Sequence, residues 1–166
     1  MNLFNGRTAS AAEDISDIHP GRYIATGVVS AFAAGLLFAL SFIATPVKFM
    51  AANVPLEQLL AVGRVTFRAS AGAEALLLFA LVILAPRGLR RWPIGIAVVL
   101  AAQFTLLLPV LDERALAVMA GQVLPPTVLR EVWIAADVAR IAAYLALCVM
   151  TLRTSAEWRS RWDRRG

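Results

Sequence analysis

Long apolar blocks separated by short polar stretches dominate the pattern along the chain. Each block approaches the roughly 20 residues that a helix needs to cross about 30 Å of hydrocarbon. Because backbone polar groups must be satisfied internally in lipid, a helix is the expected form of each block. The pattern therefore predicts an all-α, four-helix transmembrane bundle. The predicted spans are residues 24–45, 69–85, 94–111 and 132–152.

Polar segments flank these blocks. Residues 1–23 are expected to form a cytoplasmic tail, since they are too long and too acidic for the charged region of a signal peptide. Residues 153–166 form a basic tail in which Trp158 and Trp162 are four positions apart among arginines. That tail fits either a helix lying on the inner leaflet or a disordered segment. The predicted transmembrane domain is thus residues 24–152.

Composition and charge agree with a membrane protein. Of the 166 residues, 60% are hydrophobic, against about 45–50% in soluble domains, and the mean hydropathy is +0.72. Basic residues are concentrated in the two tails and in the connection between the second and third blocks, so the positive-inside rule predicts cytoplasmic termini. The net charge of +5 is then a topology signal, and the chain lacks the folded soluble module that nucleic-acid binding requires.

Reactive and metal-binding residue types are scarce. Cys148 and His19 are the only cysteine and histidine, which excludes an internal disulfide and a multi-cysteine metal site. The sequence also has no glycine-rich phosphate loop, HExxH, CxxC or GxSxG motif. We therefore expect no catalytic residue, metal or cofactor.

The first block carries a small residue at every fourth position, a spacing that lets another helix approach closely. One interpretation is packing within the bundle, and the other is a homodimer interface. The residues of this helix-packing face are Gly27, Ala31, Gly35 and Ala39.

Four ionisable residues fall in or beside the apolar blocks: Arg68, Glu74, Asp137 and Arg140. A lone charge at a helix centre costs about 2.5–3.5 kcal/mol, so each should face the bundle interior and find a partner. Asp137 and Arg140 are three apart and can meet on one helix face, which Tyr144 extends.

Depth in the membrane predicts how these charges pair. Glu74 and Arg140 lie at similar depths, within about 4–5 Å at 1.5 Å per residue, so they are expected to bind each other. Asp137 would then be free to bind Arg68 or Arg64. One interpretation is that the cluster serves only to fix the register of the helices. The other is that it binds a ligand or carries protons.

The two halves of the chain show a weak internal repeat. A shift of 63 positions places Pro46 on Pro109 and Glu74 on Asp137. Duplicated halves are common in membrane proteins, although so few matches also arise by chance.

Three motifs lie around the connections that are expected on the extracytoplasmic side of the membrane. TPVKF closes the first block, VGRxTF opens the second, and LPxLDxR followed by PP comes after the third. This pattern, over roughly residues 30–150, resembles a group of small bacterial four-span membrane proteins without assigned function. With the charge asymmetry, the resemblance implies a multi-pass protein of the bacterial inner membrane. The matching residues are Thr45 to Phe49, Val62 to Arg64, Thr66, Phe67, Leu108, Pro109, Leu111, Asp112, Arg114, Pro125 and Pro126.

Members of that group often carry an acid and a lysine in the fourth span, where this chain has Asp137 and Arg140. An arginine does not release its proton as a lysine can, which disfavours a proton relay. Other motif residues are expected at the outer rim, where they could join Glu74 and Asp137 in one polar funnel or simply cap helices and meet lipid headgroups. The outer-rim residues are Lys48, Arg64, Asp112 and Arg114.

These observations leave three classes of function. The chain fits best a non-enzymatic accessory or assembly subunit in the lipid bilayer, bound to a larger membrane complex or to copies of itself. A small transporter or permease using Glu74, Asp137 and Arg140 is the alternative. A membrane enzyme acting on a lipid or quinone would need a nucleophile or metal that the sequence does not offer.

Overall fold

The computed structural model describes residues 20–50 and 53–163, and all the regular elements there are helical. The predicted tail segments 1–19 and 164–166 lie outside the described residues, as does the side chain of Trp162. The α-helices are α1 (Pro20–Phe38), α2 (Thr45–Lys48), α3 (Leu56–Leu84), α4 (Arg91–Ala102), α5 (Leu108–Met119) and α6 (Leu129–Asp163). Two π-helical segments (Ala39–Ala44 and Gln103–Leu107) and one 3₁₀ turn (Arg87–Leu89) complete the elements.

These elements form four continuous helical spans that are long and apolar enough to cross a membrane. The four predicted spans lie almost wholly within them, so the all-α four-helix prediction is confirmed. The helices extend further than predicted at several ends, because the polar turns that follow or precede an apolar block remain helical. The basic segment 153–163, for example, continues α6 and is not a separate element. The spans are Gly21–Lys48, Leu56–Leu84, Arg87–Met119 and Leu129–Ser160.

The π-helical segments interrupt the first and third spans at related places. One ends two residues before Pro46 and the other ends two residues before Pro109. A proline inside a helix lacks an N–H and collides with the preceding turn, and a locally widened helix absorbs that mismatch. The two segments also correspond under the 63-residue shift, which adds a backbone feature to the internal repeat.

The spans are arranged in a ring in which the first contacts the second and fourth, and the third also contacts the second and fourth. The closest packing is between the first and fourth spans, where Gly27 lies against Thr151 and Leu152. At one end of the bundle, the guanidinium of Arg22 donates to the carbonyls of Ile83 and Leu84. The start of the first span is thus beside the end of the second, as antiparallel neighbours require.

Apolar side chains from all four spans fill the interior, while many others face outward. Leu81, Tyr144 and Leu147 are fully buried, whereas large side chains such as Phe32 and Phe79 are more than 60% exposed. An outer surface of this kind suits hydrocarbon and not water.

The small-residue face of the first span does not pack inside the bundle as a whole. Gly27 is buried, but Ala31, Gly35 and Ala39 are exposed, and a Cβ on Gly35 would meet nothing within 4 Å. The interpretation of this face as intramolecular packing is therefore wrong for three of its four residues. Steps of four residues advance 400° around a helix, so the row turns by about 40° per step and leaves the interface. The buried face consists of Thr26, Gly27, Ser30, Ala33, Ala34 and Leu37.

Candidate functional site

Arg140 lies at the centre of a buried charge cluster between the second and fourth spans. Its Nη1 donates to Glu74 Oε2 at 2.5 Å, and its Nη2 donates to Asp137 Oδ1 at 2.5 Å. Arg140 is 3% exposed, Glu74 5% and Asp137 2%. The predicted pair of Glu74 and Arg140 is confirmed, as is the meeting of Asp137 and Arg140 on one face of α6.

Neutral donors occupy the other carboxylate oxygens. The Tyr144 hydroxyl donates to Glu74 Oε1 at 3.1 Å, and Ser41 Oγ donates to Asp137 Oδ2 at 2.7 Å. Gln103 Nε2 donates to Asp137 Oδ1 at 3.1 Å. Every oxygen of the two buried carboxylates therefore accepts at least one hydrogen bond, as a buried charge requires.

All four spans contribute to this buried cluster, which comprises Ser41, Glu74, Gln103, Asp137, Arg140 and Tyr144. Ser41 comes from the first π-helical segment and Gln103 begins the second. Both polar side chains donate to Asp137 from spans that are otherwise largely apolar. Sequence reasoning missed Ser41 altogether. Gln103 carried a weak signal, since it is a polar residue near the middle of an apolar block, and Thr105 beside it donates instead to its own helix.

The predicted contact of Asp137 with Arg64 or Arg68 is wrong. Both arginines bind Asp112, with Arg64 Nε at 2.9 Å from Oδ1 and Arg68 Nη2 at 2.5 Å from Oδ2. The two oxygens of Asp137 already accept hydrogen bonds within the buried cluster, and Asp112 is the acid that the third span brings to the two arginines.

Three aromatic side chains pack together beside the buried cluster. The rings of Phe67 and Trp133 meet edge to face at 5.9 Å, and Phe104 lies 6.3 Å from Trp133. Phe67 lies between Arg64 and Glu74 along the second span, and Trp133 is one turn before Asp137. The outer-rim residues and the buried cluster therefore form two sites, and not the single funnel considered from the sequence.

The other two outer-rim residues make local contacts. Lys48 Nζ lies 5.1 Å from the ring centre of Phe49 and 5.4 Å from that of Phe67. A Cβ on Gly63 would come within 2.5 Å of this ammonium, so any larger residue there would push the lysine side chain aside. Arg114 Nη2 donates to the Pro125 carbonyl and holds the connection that leads to α6.

The cavity on the Asp137 side of the buried cluster is small. A cavity of about 20 Å³ is bounded by polar groups of Ser41, Ser70, Glu74, Asp137 and Arg140 together with apolar side chains. This volume accommodates about one water molecule. Among the described residues, no three acidic, histidine or cysteine side chains are grouped so that they could hold a metal ion.

The outer ion pairs provide a first test of the two-site arrangement. Asp112→Asn should lower stability less than loss of Arg140 does, because Arg68 is 60% exposed and can be solvated by water or headgroups. Unfolding of Asp112→Asn and of Arg140→Met in mixed detergent micelles, followed by circular dichroism, would measure the difference. A loss for Asp112→Asn as large as that for Arg140→Met would contradict the separation of the two sites.

Comparison of the chain with protein-family models, with curated proteins and with solved structures finds no match. The interpretation of the site therefore depends on its own geometry.

Proposed function

We propose that this protein is a non-enzymatic, multi-pass accessory or assembly subunit of a larger membrane complex in the bacterial inner membrane. The observation that carries the proposal is that the buried charges satisfy one another within the chain. Arg140 donates to both Glu74 and Asp137, and all three side chains are at most 5% exposed. Such a cluster holds four helices in register, and the neutral donors Ser41, Gln103 and Tyr144 supplement the one cation that the two carboxylates share.

The dimensions of the cavity favour this role over transport. A transporter needs a polar path or an alternating cavity of substrate size. The cavity among the polar groups of the cluster holds about one water, and the larger cleft that reaches Arg140 is lined almost wholly by apolar side chains. The rings of Phe67, Phe104 and Trp133 pack together beside the cluster, and Phe67 lies between Arg64 and Glu74 along the second span. A proton pathway through Glu74 and Asp137 has no continuation among these neighbours.

The surface of the first span supports docking. Ala31, Gly35 and Ala39 form a shallow exposed row on a helix whose opposite face is already packed. Without a hydrophobic driving force in lipid, helices associate where small residues let backbones approach closely. We therefore assign this row as the contact with a helix of the larger complex.

The orientation follows from the basic residues. The bundle end that carries the contact of Arg22 with Leu84 also carries the turn with Arg87, Arg90 and Arg91. By the positive-inside rule this end lies in the cytoplasm together with both termini.

Gly35→Leu is expected to reduce recovery of the partner complex about tenfold, the change produced by about 1.4 kcal/mol of lost binding free energy. The measurement is purification of the tagged protein from its native membrane in mild detergent, followed by quantitative mass spectrometry. Gly72→Leu is the matched control, because Gly72 is also exposed and a Cβ added there would meet nothing within 4 Å, but it lies on the second span.

The same experiment distinguishes the competing functions. A stoichiometric partner lost only in Gly35→Leu supports the accessory role. A wild-type protein that purifies as a single particle without other proteins would overturn it. A homo-oligomer without other proteins would shift the weight to transport, and Glu74→Gln and Asp137→Asn would then be assayed in vesicles.

A further inference from the structure

A cleft of about 420 Å³ separates the third and fourth spans at the end of the bundle that carries Arg91. Its depth is set by Ile96 and Arg140, which are both buried, and one wall is formed by Ala139 and Ala143. The lining is overwhelmingly apolar. The cleft is much larger than the cavity beside Asp137, and it reaches the buried cluster only at Arg140.

Small side chains create this cleft and open it sideways. A Cβ on Gly95 would meet nothing within 4 Å, and Ala139 and Ala143 add only methyl groups to the facing helix. Gly95, Val99 and Ala139 are exposed, so the opening lies along the outer surface of the two spans. In a membrane that surface faces the acyl chains of the bilayer.

One end of the cleft carries an exposed basic side chain. Arg91 is exposed there, and the buried indole Nε1 of Trp92 has no hydrogen-bond partner among the described residues. The Nε of Arg140 likewise lacks a partner at the deep end. A buried donor without an acceptor is costly in an apolar setting, which points to an acceptor supplied from outside the chain.

We propose that this cleft binds one anionic phospholipid. The phosphate group lies at Arg91, beside Trp92, and an acyl chain follows the groove past Gly95, Ile96 and Ala139. Basic pockets between membrane helices suit anionic headgroups, while the apolar groove suits hydrocarbon. The site lies on the third and fourth spans, so it is independent of the proposed docking row on the first span.

The test is native mass spectrometry of the full-length protein after purification in mild detergent with added phosphatidylglycerol or phosphatidylcholine. Wild type is expected to retain one phosphatidylglycerol in preference to phosphatidylcholine. Arg91→Gln should weaken that retention about fivefold, the usual contribution of one basic residue near a membrane surface. Arg153→Gln is its control, since it removes an exposed arginine outside the cleft.

A second pair of variants tests the groove itself. Gly95→Leu adds a side chain to the cleft at a position where a Cβ would meet nothing within 4 Å, and it should abolish specific retention, whereas Gly72→Leu should retain lipid as wild type does. Circular dichroism and monodisperse elution establish that both variants are folded. Equal retention of the two lipids by wild type, or undiminished phosphatidylglycerol binding by Gly95→Leu, would overturn the proposal.

Discussion

Arg140→Met is expected to lower the free energy of unfolding by about 3–5 kcal/mol, the usual cost of removing one partner from a buried ion pair. The substitution leaves Glu74 and Asp137 close together in the membrane without their shared cation. The remaining donors from Ser41, Gln103 and Tyr144 are neutral and cannot replace a guanidinium. Unfolding in micelles of increasing denaturing-detergent fraction, followed by circular dichroism, measures this loss.

A compensating variant separates the electrostatic effect from the effect of packing. When Glu74→Gln and Asp137→Asn are combined with Arg140→Met, most of the lost stability should return, because the uncompensated charges are gone. Replacing a whole buried ion pair is often neutral, whereas breaking it is not. A triple variant as unstable as Arg140→Met would show that the side chain of Arg140 acts through its volume. Unchanged stability of Arg140→Met would contradict the buried cluster as the element that holds the four spans together.

Gly27→Leu is expected to destabilise the protein by about 1–3 kcal/mol through overpacking between the first and fourth spans. A Cβ at this position would lie 2.9 Å from Thr151 Oγ1 and 3.2 Å from two carbons of Leu152. Thr151 is fully buried, and its hydroxyl is 2.9 Å from the carbonyl oxygens of Leu147 and Cys148, to which it donates. The neighbour therefore cannot move aside without losing its own contacts, and the two helices must separate.

Gly35→Leu provides the matched comparison for this position. It makes the same substitution about two helical turns later in the same span, where an added Cβ would meet no atom within 4 Å. Its stability in detergent should equal that of wild type, while its recovery of a partner complex falls. If both glycine variants lose stability equally, the cause is the intrinsic effect of leucine in this helix, and the close packing at Gly27 is not responsible.

The buried cluster also explains why the two proline-associated segments matter to the site. Ser41 and Gln103 reach Asp137 from opposite spans, and each lies in a π-helical segment. Short π-helical segments inside α-helices are frequent at functional sites.

Sequence reasoning succeeded where the physics is local or severely restrictive. The four spans follow from the length of apolar runs, because a helix in lipid needs about 20 such residues whatever its neighbours are. The pairing of Glu74 with Arg140 was also predictable. A membrane leaves an isolated charge few favourable positions, and a partner at matching depth is the simplest one.

Only the tertiary structure decided which partner each remaining polar group takes and which helix faces are covered. Asp137 accepts hydrogen bonds from Ser41 and Gln103 and makes none with Arg64 or Arg68. The third span places Asp112 beside those two arginines, and they bind it instead. The exposure of Gly35 and the cleft beside Gly95 likewise depend on how far neighbouring helices rotate and separate. The apolar runs specify that a helix enters the membrane. A small residue on the surface of that helix is equally compatible with contact to a neighbouring helix, to lipid or to another protein. The distances between spans, which no local pattern encodes, determine which of these is present.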